Sequence, residues 1–530
     1  MAFDRAEGLR RMADEQLDLL VVGGGITGAG VALDAATRGL HVGIVDRRDW
    51  ASGTSSKSSK LVHGGLRYLQ QREFRLVYEA LAERQRLRKT APHLVKLLPF
   101  LIPMFGKGGV IHPKLRKALN SALWMYDLTG GARIGKVHDQ IGVDETMAHL
   151  PTLRRENVVG GFVYYDAQTD DARLTMTIAR TAADHGAACA TYTSVVALTK
   201  DASGRVNGAR LRTAEGDEVE VRARSVVNAT GVWSDDIRTL DEGVDPQAIR
   251  PAKGIHVTVP WEKVRNDIAA VVPVPKDKRS IFVVPLGGHT YIGTTDTDYD
   301  GPLDDPMCTR EDVDYLLGAM NASLAEPLSH DDVVGTWAGL RPLVRTASSA
   351  RTADLSRRHT VVSSPSGVVT VNGGKLTTYR KMAEDTVDEV MKALGRKGRS
   401  RTKKVLLHGA DGAEQVDDLA SLQRHGTERR LVQALIDGDA TLGEPLVPGL
   451  PYLRAEAVHA VRHEMATTLD DVLTRRTQAR WLDAEAAAGV ADEVARLVAA
   501  ELGWDEAEVG RQVGAFREAV AADQSAASLS

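Results

Sequence analysis

LDLLVVGGGITGAG, at residues 17–30, is the stretch that decides the fold of this chain. Its first six residues form an apolar run typical of a buried strand, and the glycines lead into a helical pattern that ends near Gly39. HVGIV, at residues 41–45, then predicts a second buried strand ending at Asp46. These segments predict one complete βαβ unit at the start of an α/β domain.

The glycines have the GxGxxG spacing of a dinucleotide-binding turn. Gly23, Gly25 and Gly28 allow a tight turn and let a pyrophosphate approach the N-terminus of the helix. Asp46, eighteen residues after Gly28, is placed to accept hydrogen bonds from an adenosine ribose. An acid there argues against a 2′-phosphate, but this motif by itself leaves NAD, NADP and FAD open.

A later strand favours the flavin dinucleotide. VVNA, at residues 226–229, runs into Thr230 and Gly231. In two-domain flavoproteins a strand ending in Ala-Thr-Gly commonly passes close to the dinucleotide, whereas in an NAD enzyme it would be one more structural strand. We therefore expect Ala229, Thr230 and Gly231 beside FAD.

SSKSSKLVHGGLRYL, at residues 55–69, is the most distinctive stretch of the chain. Its hydroxyls and glycines would let backbone N–H groups meet a flavin, and His63, Arg67 and Tyr68 could reach a substrate beside it. The alternative is that this stretch is a solvated loop, which is the more common setting of an isolated arginine such as Arg67.

Two further glycine-containing loops favour a substrate-binding role for Arg67 over a solvated loop. GLRPL contains Arg341, and NGGKLTTYR, at residues 372–380, places Lys375 and two threonines where a helix opens. Each loop taken singly fits a structural role. Together with Arg67, these cations predict a pocket for a phosphate or a carboxylate.

The chain is too long for one hydrophobic core, so we predict several units. A β-rich block lies between residues 250 and 300, and helical periodicity dominates after residue 400. The predicted units are a discontinuous dinucleotide domain at 17–90, 145–240 and 330–390, a substrate-binding cap at 91–144 and 241–329, and a helical domain at 400–525.

Composition excludes several classes of function. With 67 basic and 71 acidic residues the formal net charge is −4, which favours no nucleic-acid partner. Cys189 and Cys308 lack the spacing of metal ligands, so we predict a reducing compartment and no metal.

The most apolar segment, 94–105, is interrupted by Lys96 and prolines and is shorter than the ~18 residues of a membrane span. Without a signal peptide, a cytoplasmic protein is expected.

Seven motifs together resemble those of the FAD-dependent, aerobic glycerol-3-phosphate dehydrogenases over residues 17–390. They are GGGITGAG (23–30), SSKLVHGGLRYL (58–69), DDARL (170–174), NATG (228–231), IGTTD (292–296), GLRPL (339–343) and GGKLTTYR (373–380). The resemblance implies a glutathione-reductase-type, Rossmann-like FAD domain with an inserted antiparallel β-sheet cap and a C-terminal helical domain. It also implies oxidation of sn-glycerol 3-phosphate to dihydroxyacetone phosphate, a membrane quinone as acceptor, and peripheral attachment to the inner face of the membrane.

The resemblance also implies roles for individual residues. Arg67, Tyr68, His256, Arg341 and Lys375 would bind the substrate, and the base that removes the hydroxyl proton would be His63 or, as second candidate, His256. The expected FAD contacts come from the three glycine loops and the hydroxyl-rich loop: Gly23, Gly25, Ile26, Thr27, Gly28, Asp46, Thr54, Ser55, Ser59, Leu61, His63, Gly64, Gly65, Ala229, Thr230, Gly231, Gly374, Lys375, Leu376 and Thr377.

Several alternatives stay open from the sequence. One is an oxygen-dependent glycerophosphate oxidase, and another is an amine or amino-acid oxidase of the same fold, whose pocket typically needs one arginine. A non-catalytic dinucleotide sensor would not need the three cations. The segment 93–131 is either a lipid-facing patch or buried packing, and a homodimer is compatible with the sequence.

Overall fold

The computed structural model describes residues 3–70, 73–106, 113–274, 279–345 and 358–529, without the side chains of residues 67, 70, 113–115 and 132. Its strands are β1 Leu19–Val22, β2 Val42–Val45, β3 Leu61–Val62, β4 Val95–Phe105, β5 Asp139–Ile141, β6 Val158–Thr169, β7 Ala188–Ala190, β8 Thr193–Lys200, β9 Val206–Thr213, β10 Glu218–Arg222, β11 Val226–Asn228, β12 Ile249–Pro260, β13 Ala269–Pro273, β14 Ser280–Leu286, β15 His289–Gly293, β16 Thr297–Asp298, β17 Gly335–Val344, β18 Thr360–Ser363 and β19 Val369–Asn372.

The helices follow the same numbering along the chain. They are α1 Arg5–Asp14, α2 Ile26–Thr37, α3 Leu66–Gln70, α4 Phe74–Thr90, α5 Pro113–Leu128, α6 Val143–His149, α7 Asp171–Asp184, α8 Ser234–Glu242, α9 Arg310–Asn321, α10 Tyr379–Ala393, α11 Arg429–Gly438, α12 Arg454–Glu464, α13 Ala479–Leu482, α14 Ala484–Gly489, α15 Ala491–Leu502 and α16 Glu506–Ala527.

The first sheet is the predicted dinucleotide-binding sheet, in the order β18-β19-β11-β1-β2-β7. Its strands run parallel except at the β18–β19 edge. β1 and β2 are buried along their whole length, which explains why both read as continuous apolar runs. Helices α2, α7 and α10 pack against it around one apolar core. The predicted βαβ unit is confirmed.

A second, larger sheet carries the substrate side of the molecule. Its order is β16-β12-β15-β14-β13-β4-β6-β3, with β17 beside β12 and β5 beside β6. All its pairings are antiparallel except β13 with β4. Helix α9 packs on this sheet above a separate apolar core. This sheet is the inserted antiparallel cap that the family resemblance implies.

Three strands lie outside the units that the sequence predicts for them. β3, β6 and β17 fall within the ranges predicted for the dinucleotide domain, yet all three pair in the large sheet. The physical reason is that an apolar run specifies a buried strand but not its neighbour. The pairing is decided by long-range contacts with β4 and β12.

The remaining elements surround these two sheets. β8, β9 and β10 form a small antiparallel meander. Helices α11–α16 form the predicted C-terminal helical domain around a core of its own. Among the described residues, no helix is both long enough and apolar enough to cross a membrane.

Candidate active site

A cavity of about 440 Å³ opens at the carboxyl ends of β1, β2 and β11. This is where a doubly wound sheet binds its dinucleotide. The predicted cofactor residues that line it are Gly23, Gly25, Ile26, Thr27, Asp46, Thr54, Ser55, Ala229, Thr230, Gly231, Gly374, Lys375 and Leu376.

The turn between β1 and α2 has no room for side chains. Gly23 has φ +109°, and a Cβ atom there would lie 2.7 Å from the carbonyl oxygen of Ala229. A Cβ atom at Gly28 would lie 1.8 Å from the carbonyl oxygen of Gly23. Gly28 therefore does not line the cavity; it permits the turn to close. The bare backbone at the N-terminus of α2 fits a pyrophosphate.

Asp46 lies at the end of β2, where a ribose is expected. Its carboxylate accepts hydrogen bonds from the backbone N–H groups of Gly24 (2.6 Å) and Arg48 (2.8 Å). Burial raises the pKa of Asp46 to about 6, because these two donors only partly replace water. Two ribose hydroxyls would be further donors to this carboxylate.

A second cavity of about 770 Å³ lies against the large sheet and meets the first. The two share Ile26, Thr54, Ser55, Lys57, Pro342 and the loop residues Gly373, Gly374, Lys375 and Leu376. Further predicted residues line the second cavity only: Ser59, Leu61, His63, Gly65, Tyr68, His256, Arg341 and Thr377. Gly64 lies behind this wall, where its N–H donates to the hydroxyl of Tyr126 (3.0 Å).

Arg67 belongs to α3, which borders this cavity, but its side chain lies outside the described part of the structure. The neighbouring residue Tyr68 is described and lines the cavity. The position of Arg67 in the anion pocket therefore stays a prediction.

His256 is held rigidly in the cavity wall. Its ring stacks on Trp337, with centroids 4.7 Å apart and planes at 13°, and its Nε2 lies 3.0 Å from Oγ of Ser59. Burial, with the charges of Arg341 and Lys60, holds the pKa of the His256 imidazole well below its usual range. A lowered pKa favours the neutral imidazole and weakens it as a proton acceptor.

His63 has a different environment from His256. It follows β3, is half-buried, and its ring meets Phe282 edge-on at 6.3 Å. Its backbone N–H donates to Oγ1 of Thr377 at 3.1 Å. This bond joins the loop after β3 to the loop of Lys375 on one side of the cavity.

Arg341 is oriented by the segment between β15 and β16. Its guanidinium donates to Oγ1 of Thr294 and to the carbonyl oxygen of Thr295, both at 3.1 Å, and lies 3.5 Å from a carboxylate oxygen of Asp296. A Cβ atom at Gly254 would lie 2.4 Å from this guanidinium, so the glycine on β12 makes room for it. The arginine is thus preorganised at the cavity wall.

Lys375 completes the cationic side of the cavity. Its ammonium lies 3.6 Å from the ring centre of Tyr68. Gly373 and Gly374, with φ of +76° and +83°, form the turn that places it where the two cavities meet. Arg341, Lys375 and both histidines therefore line one cavity, and its use as an anion site with an adjacent base stays a prediction.

Several lining residues were missed by the sequence analysis. Lys57 lines both cavities, and burial lowers the pKa of its ammonium. Arg279 and Phe282 enter from β14 and the segment before it, and Trp233 covers the first cavity. Lys57 lies in the quoted 55–69 stretch, but nothing in the local pattern of Arg279 distinguishes it from a surface arginine.

The arrangement fits a flavin dinucleotide. The side-chain-free turn would hold the pyrophosphate, Asp46 would accept from the ribose, and the shared loop at Lys375 would border the redox-active ring, next to the second cavity. The chain matches the family model described as FAD dependent oxidoreductase over residues 18–380. Residues 400–509 match the model of the C-terminal domain of alpha-glycerophosphate oxidase.

Full-length relatives extend these matches. The chain is 43% identical to glycerol-3-phosphate dehydrogenase 2 of Mycobacterium tuberculosis, over 98% of this chain and 90% of that protein. It is 36% identical to the mitochondrial glycerol-3-phosphate dehydrogenase of Homo sapiens, over 95% of this chain and 73% of that protein. The structure of the Bacillus halodurans enzyme with FAD superposes with a TM-score of 0.77 at 31% identity, covering 97% of this chain and 96% of that one. The chain belongs to the FAD-dependent glycerol-3-phosphate dehydrogenase family.

Proposed function

We propose that the protein oxidises sn-glycerol 3-phosphate at C2 to dihydroxyacetone phosphate and passes the electrons to a membrane quinone. The observation that carries this proposal is the junction of the two cavities at Lys375. A dinucleotide site there opens directly onto a pocket that combines fixed cations with a histidine. A phosphorylated alcohol needs both features.

The cations bind and orient the substrate. Arg341, held by Thr294 and Thr295, would form a bidentate contact with the phosphate, and Lys375 would share its charge. Arg67 is the third cation expected there. Fixing the phosphate sets the distance from C2 to the redox-active ring, which converts binding energy into alignment of the reacting atoms.

His63 is the better candidate for the base. The imidazole of His256 is stacked on Trp337, and its depressed pKa makes it a poor proton acceptor. His63 lines the same cavity and is half-buried. His63 would take the proton of the C2 hydroxyl while the C2 hydrogen leaves as a hydride and the C2–O bond becomes a carbonyl. When bound, FAD supplies the two-electron acceptor for that hydride.

We propose that the protein contacts the membrane through α5 and the turn after it. Leu128 is 82% exposed and Trp124 49% exposed, with Met125 and Val137 also on the surface. The exposed basic residues Arg116 and Lys117 lie on the same helix. An exposed apolar face beside basic side chains is suited to the interface of an anionic membrane. A cytoplasmic protein attached in this way would meet its quinone at the surface.

Anaerobic bleaching of the flavin absorbance tests the substrate. We expect sn-glycerol 3-phosphate to bleach the yellow protein, whereas glycerol and sarcosine leave it oxidised. Glycerol tests the need for the phosphate, and sarcosine tests an amine oxidase. A yellow protein that none of the three bleaches would contradict the proposed substrate.

The acceptor needs a separate experiment. Reoxidation of the bleached protein is followed after mixing with a soluble quinone analogue or with air-saturated buffer. Rapid reoxidation by quinone with little peroxide supports the dehydrogenase. Stoichiometric peroxide at a comparable rate would instead support the oxygen-dependent glycerophosphate oxidase, which is the second candidate because the C-terminal domain matches that family model.

A further inference from the structure

A group of buried histidines lies where the C-terminal domain meets the dinucleotide domain, away from both cavities. His459 and Glu464 belong to α12, and His425 belongs to a short 3₁₀ turn at Leu422–Glu428. The exposed fraction is 0% for His459, 1% for Glu464 and 4% for His425. None of these residues takes part in the proposed reaction.

Three possible ligand atoms of this group point at one another. Oε1 of Glu464 lies 3.4 Å from Nδ1 of His459 and 3.9 Å from Nδ1 of His425. One ligand atom from each residue can be chosen so that all lie within 4.8 Å of one another. Adjacent ligands of a tetrahedral zinc ion are separated by about 3.3 Å, given metal–ligand bonds of about 2.0–2.1 Å. The group is therefore close to the geometry of a metal site before any movement.

The hydrogen bond of His425 determines which of its nitrogens carries the proton. Nε2 lies 2.8 Å from a carboxylate oxygen of Glu456, which only accepts hydrogen bonds when ionised. Nε2 must therefore donate, which leaves the lone pair of Nδ1 directed towards Glu464. A histidine ligand with a carboxylate on its other nitrogen is the usual outer-shell arrangement of a metal-bound imidazole.

His459 provides an independent second observation. Within the described residues, neither of its ring nitrogens makes a hydrogen bond, although the ring is fully buried. Its Nδ1 faces Glu464 without the alignment of a hydrogen bond. A buried polar nitrogen without a partner is destabilising, and a cation between the Nδ1 atoms of both histidines and the carboxylate would give Nδ1 of His459 a partner.

The type of ligand selects the metal. Two imidazoles and one carboxylate suit Zn²⁺, whereas Ca²⁺ and Mg²⁺ prefer oxygen ligands. Arg173 also donates to Oε1 of Glu464 at 2.6 Å. That contact fixes the carboxylate, but its positive charge lowers the affinity for any cation. We propose that His425, His459 and Glu464 bind one Zn²⁺ ion inside the C-terminal domain, where the ion holds the turn of His425 against α12.

The sequence predicts no metal, and the reason is the arrangement of the ligands along the chain. His425 comes from a turn, thirty-four residues before His459, and the pair on α12 is five residues apart. Neither spacing is that of a common zinc motif. Only the packing of the turn against α12 brings them together.

Zinc retention tests the proposal on the FAD-loaded enzyme. The protein is stripped with EDTA, given two equivalents of ZnCl₂, passed through a desalting column and analysed for metal. We expect about one zinc per chain and a higher thermal midpoint than for the stripped protein. His459→Gln should retain less than a tenth of that zinc. The control His149→Gln, at a half-buried histidine paired with Asp267 far from this group, should retain it fully.

A second measurement needs no variant, in case His459→Gln does not fold. CoCl₂ is added to the stripped wild-type protein, and the difference spectrum is recorded at wavelengths beyond the flavin bands. The intense visible absorption of four-coordinate Co²⁺, displaced by one equivalent of zinc, is the expected result. Wild-type protein that retains no zinc and gives no such band would overturn the proposal, as would equal retention by a folded His459→Gln variant.

Discussion

At the residue scale, the two histidines of the substrate cavity differ in what surrounds them. His256 is stacked on Trp337 beside Ser59, and His63 lies at a half-buried position after β3. A ring held by stacking is well suited to shape the cavity. A ring with more access to water is better suited to exchange protons, which gives the two residues separable roles.

Their exchange for asparagine separates these roles. We expect His63→Asn to slow anaerobic flavin reduction about 100-fold or more, in line with the loss of a general base. We expect His256→Asn mainly to raise the substrate concentration needed for half-maximal reduction. Stopped-flow absorbance with varied glycerol 3-phosphate measures both quantities. The assignment would be reversed if His256→Asn caused the larger loss of limiting rate.

Asp46 predicts a pH dependence of FAD binding. The free protein holds the pKa of this carboxyl at about 6, and the ionised form is the better acceptor for ribose hydroxyls. FAD therefore favours the ionised form, so FAD affinity should be constant above pH 6 and fall below it, by up to about tenfold per pH unit.

Flavin fluorescence on titration of the stripped protein, between pH 5 and 8, measures this affinity. Asp46→Asn should bind FAD more weakly at pH 8 and lose the step near pH 6. A thermal melt at each pH shows whether the protein remains folded. The same step in both proteins would mean that another group is responsible.

At the scale of single elements, the large sheet explains how the cations are placed. β12 and β17 pair along ten residues, with Gly254 opposite Gly339. A Cβ atom at Gly339 would lie 2.4 Å from the carbonyl oxygen of Lys57, and one at Gly254 would meet Arg341. The paired glycines let the hydroxyl-rich loop and the arginine lie directly on the sheet.

Helix α5 gives a prediction about the membrane. Replacing Trp124 and Leu128 with serine should weaken binding to vesicles of anionic phospholipid roughly 10- to 30-fold, because each side chain contributes about 1 kcal/mol when partly inserted. Co-sedimentation with vesicles measures the binding. The matched control replaces Val362 and Leu406, two exposed apolar residues elsewhere on the surface, and should bind like the wild type.

At the scale of the whole molecule, buried ion pairs join the C-terminal domain to the dinucleotide domain. Asp49, after β2, accepts hydrogen bonds from Arg475 (2.6 Å) and Arg476 (2.6 and 2.9 Å). All three side chains are buried. The two arginines hold the pKa of the Asp49 carboxyl below its usual value, against the cost of burial. Removing one member of such a network leaves buried charge without a partner.

Asp49→Asn should therefore destabilise the protein by about 3–5 kcal/mol and lower its thermal midpoint. Glu7→Gln, which removes an exposed ion pair with Arg10, is the control and should leave the denaturant midpoint close to that of the wild type. Denaturant unfolding followed by circular dichroism provides the comparison. Equal stability of the two variants would show that this junction contributes little.

The sequence by itself determined the local features of the protein. The glycine turn of residues 23–28 and the strands on either side are predictable because positive φ, close approach and apolar periodicity are properties of neighbouring residues. The anion-binding loops were found for the same reason, since glycines and cations stand together in the chain. The resemblance to a family then supplied the expectation that those loops meet.

Tertiary structure alone decided which distant residues become neighbours. It placed β6 and β17 in the large sheet, Arg279 in the cavity wall, and His425 beside His459. These contacts join residues that lie far apart in the chain, or in different elements, and no local pattern records them. Their positions follow from the burial of the apolar faces of whole strands and helices, which selects one packing of these elements. That packing also decides which polar residues become neighbours.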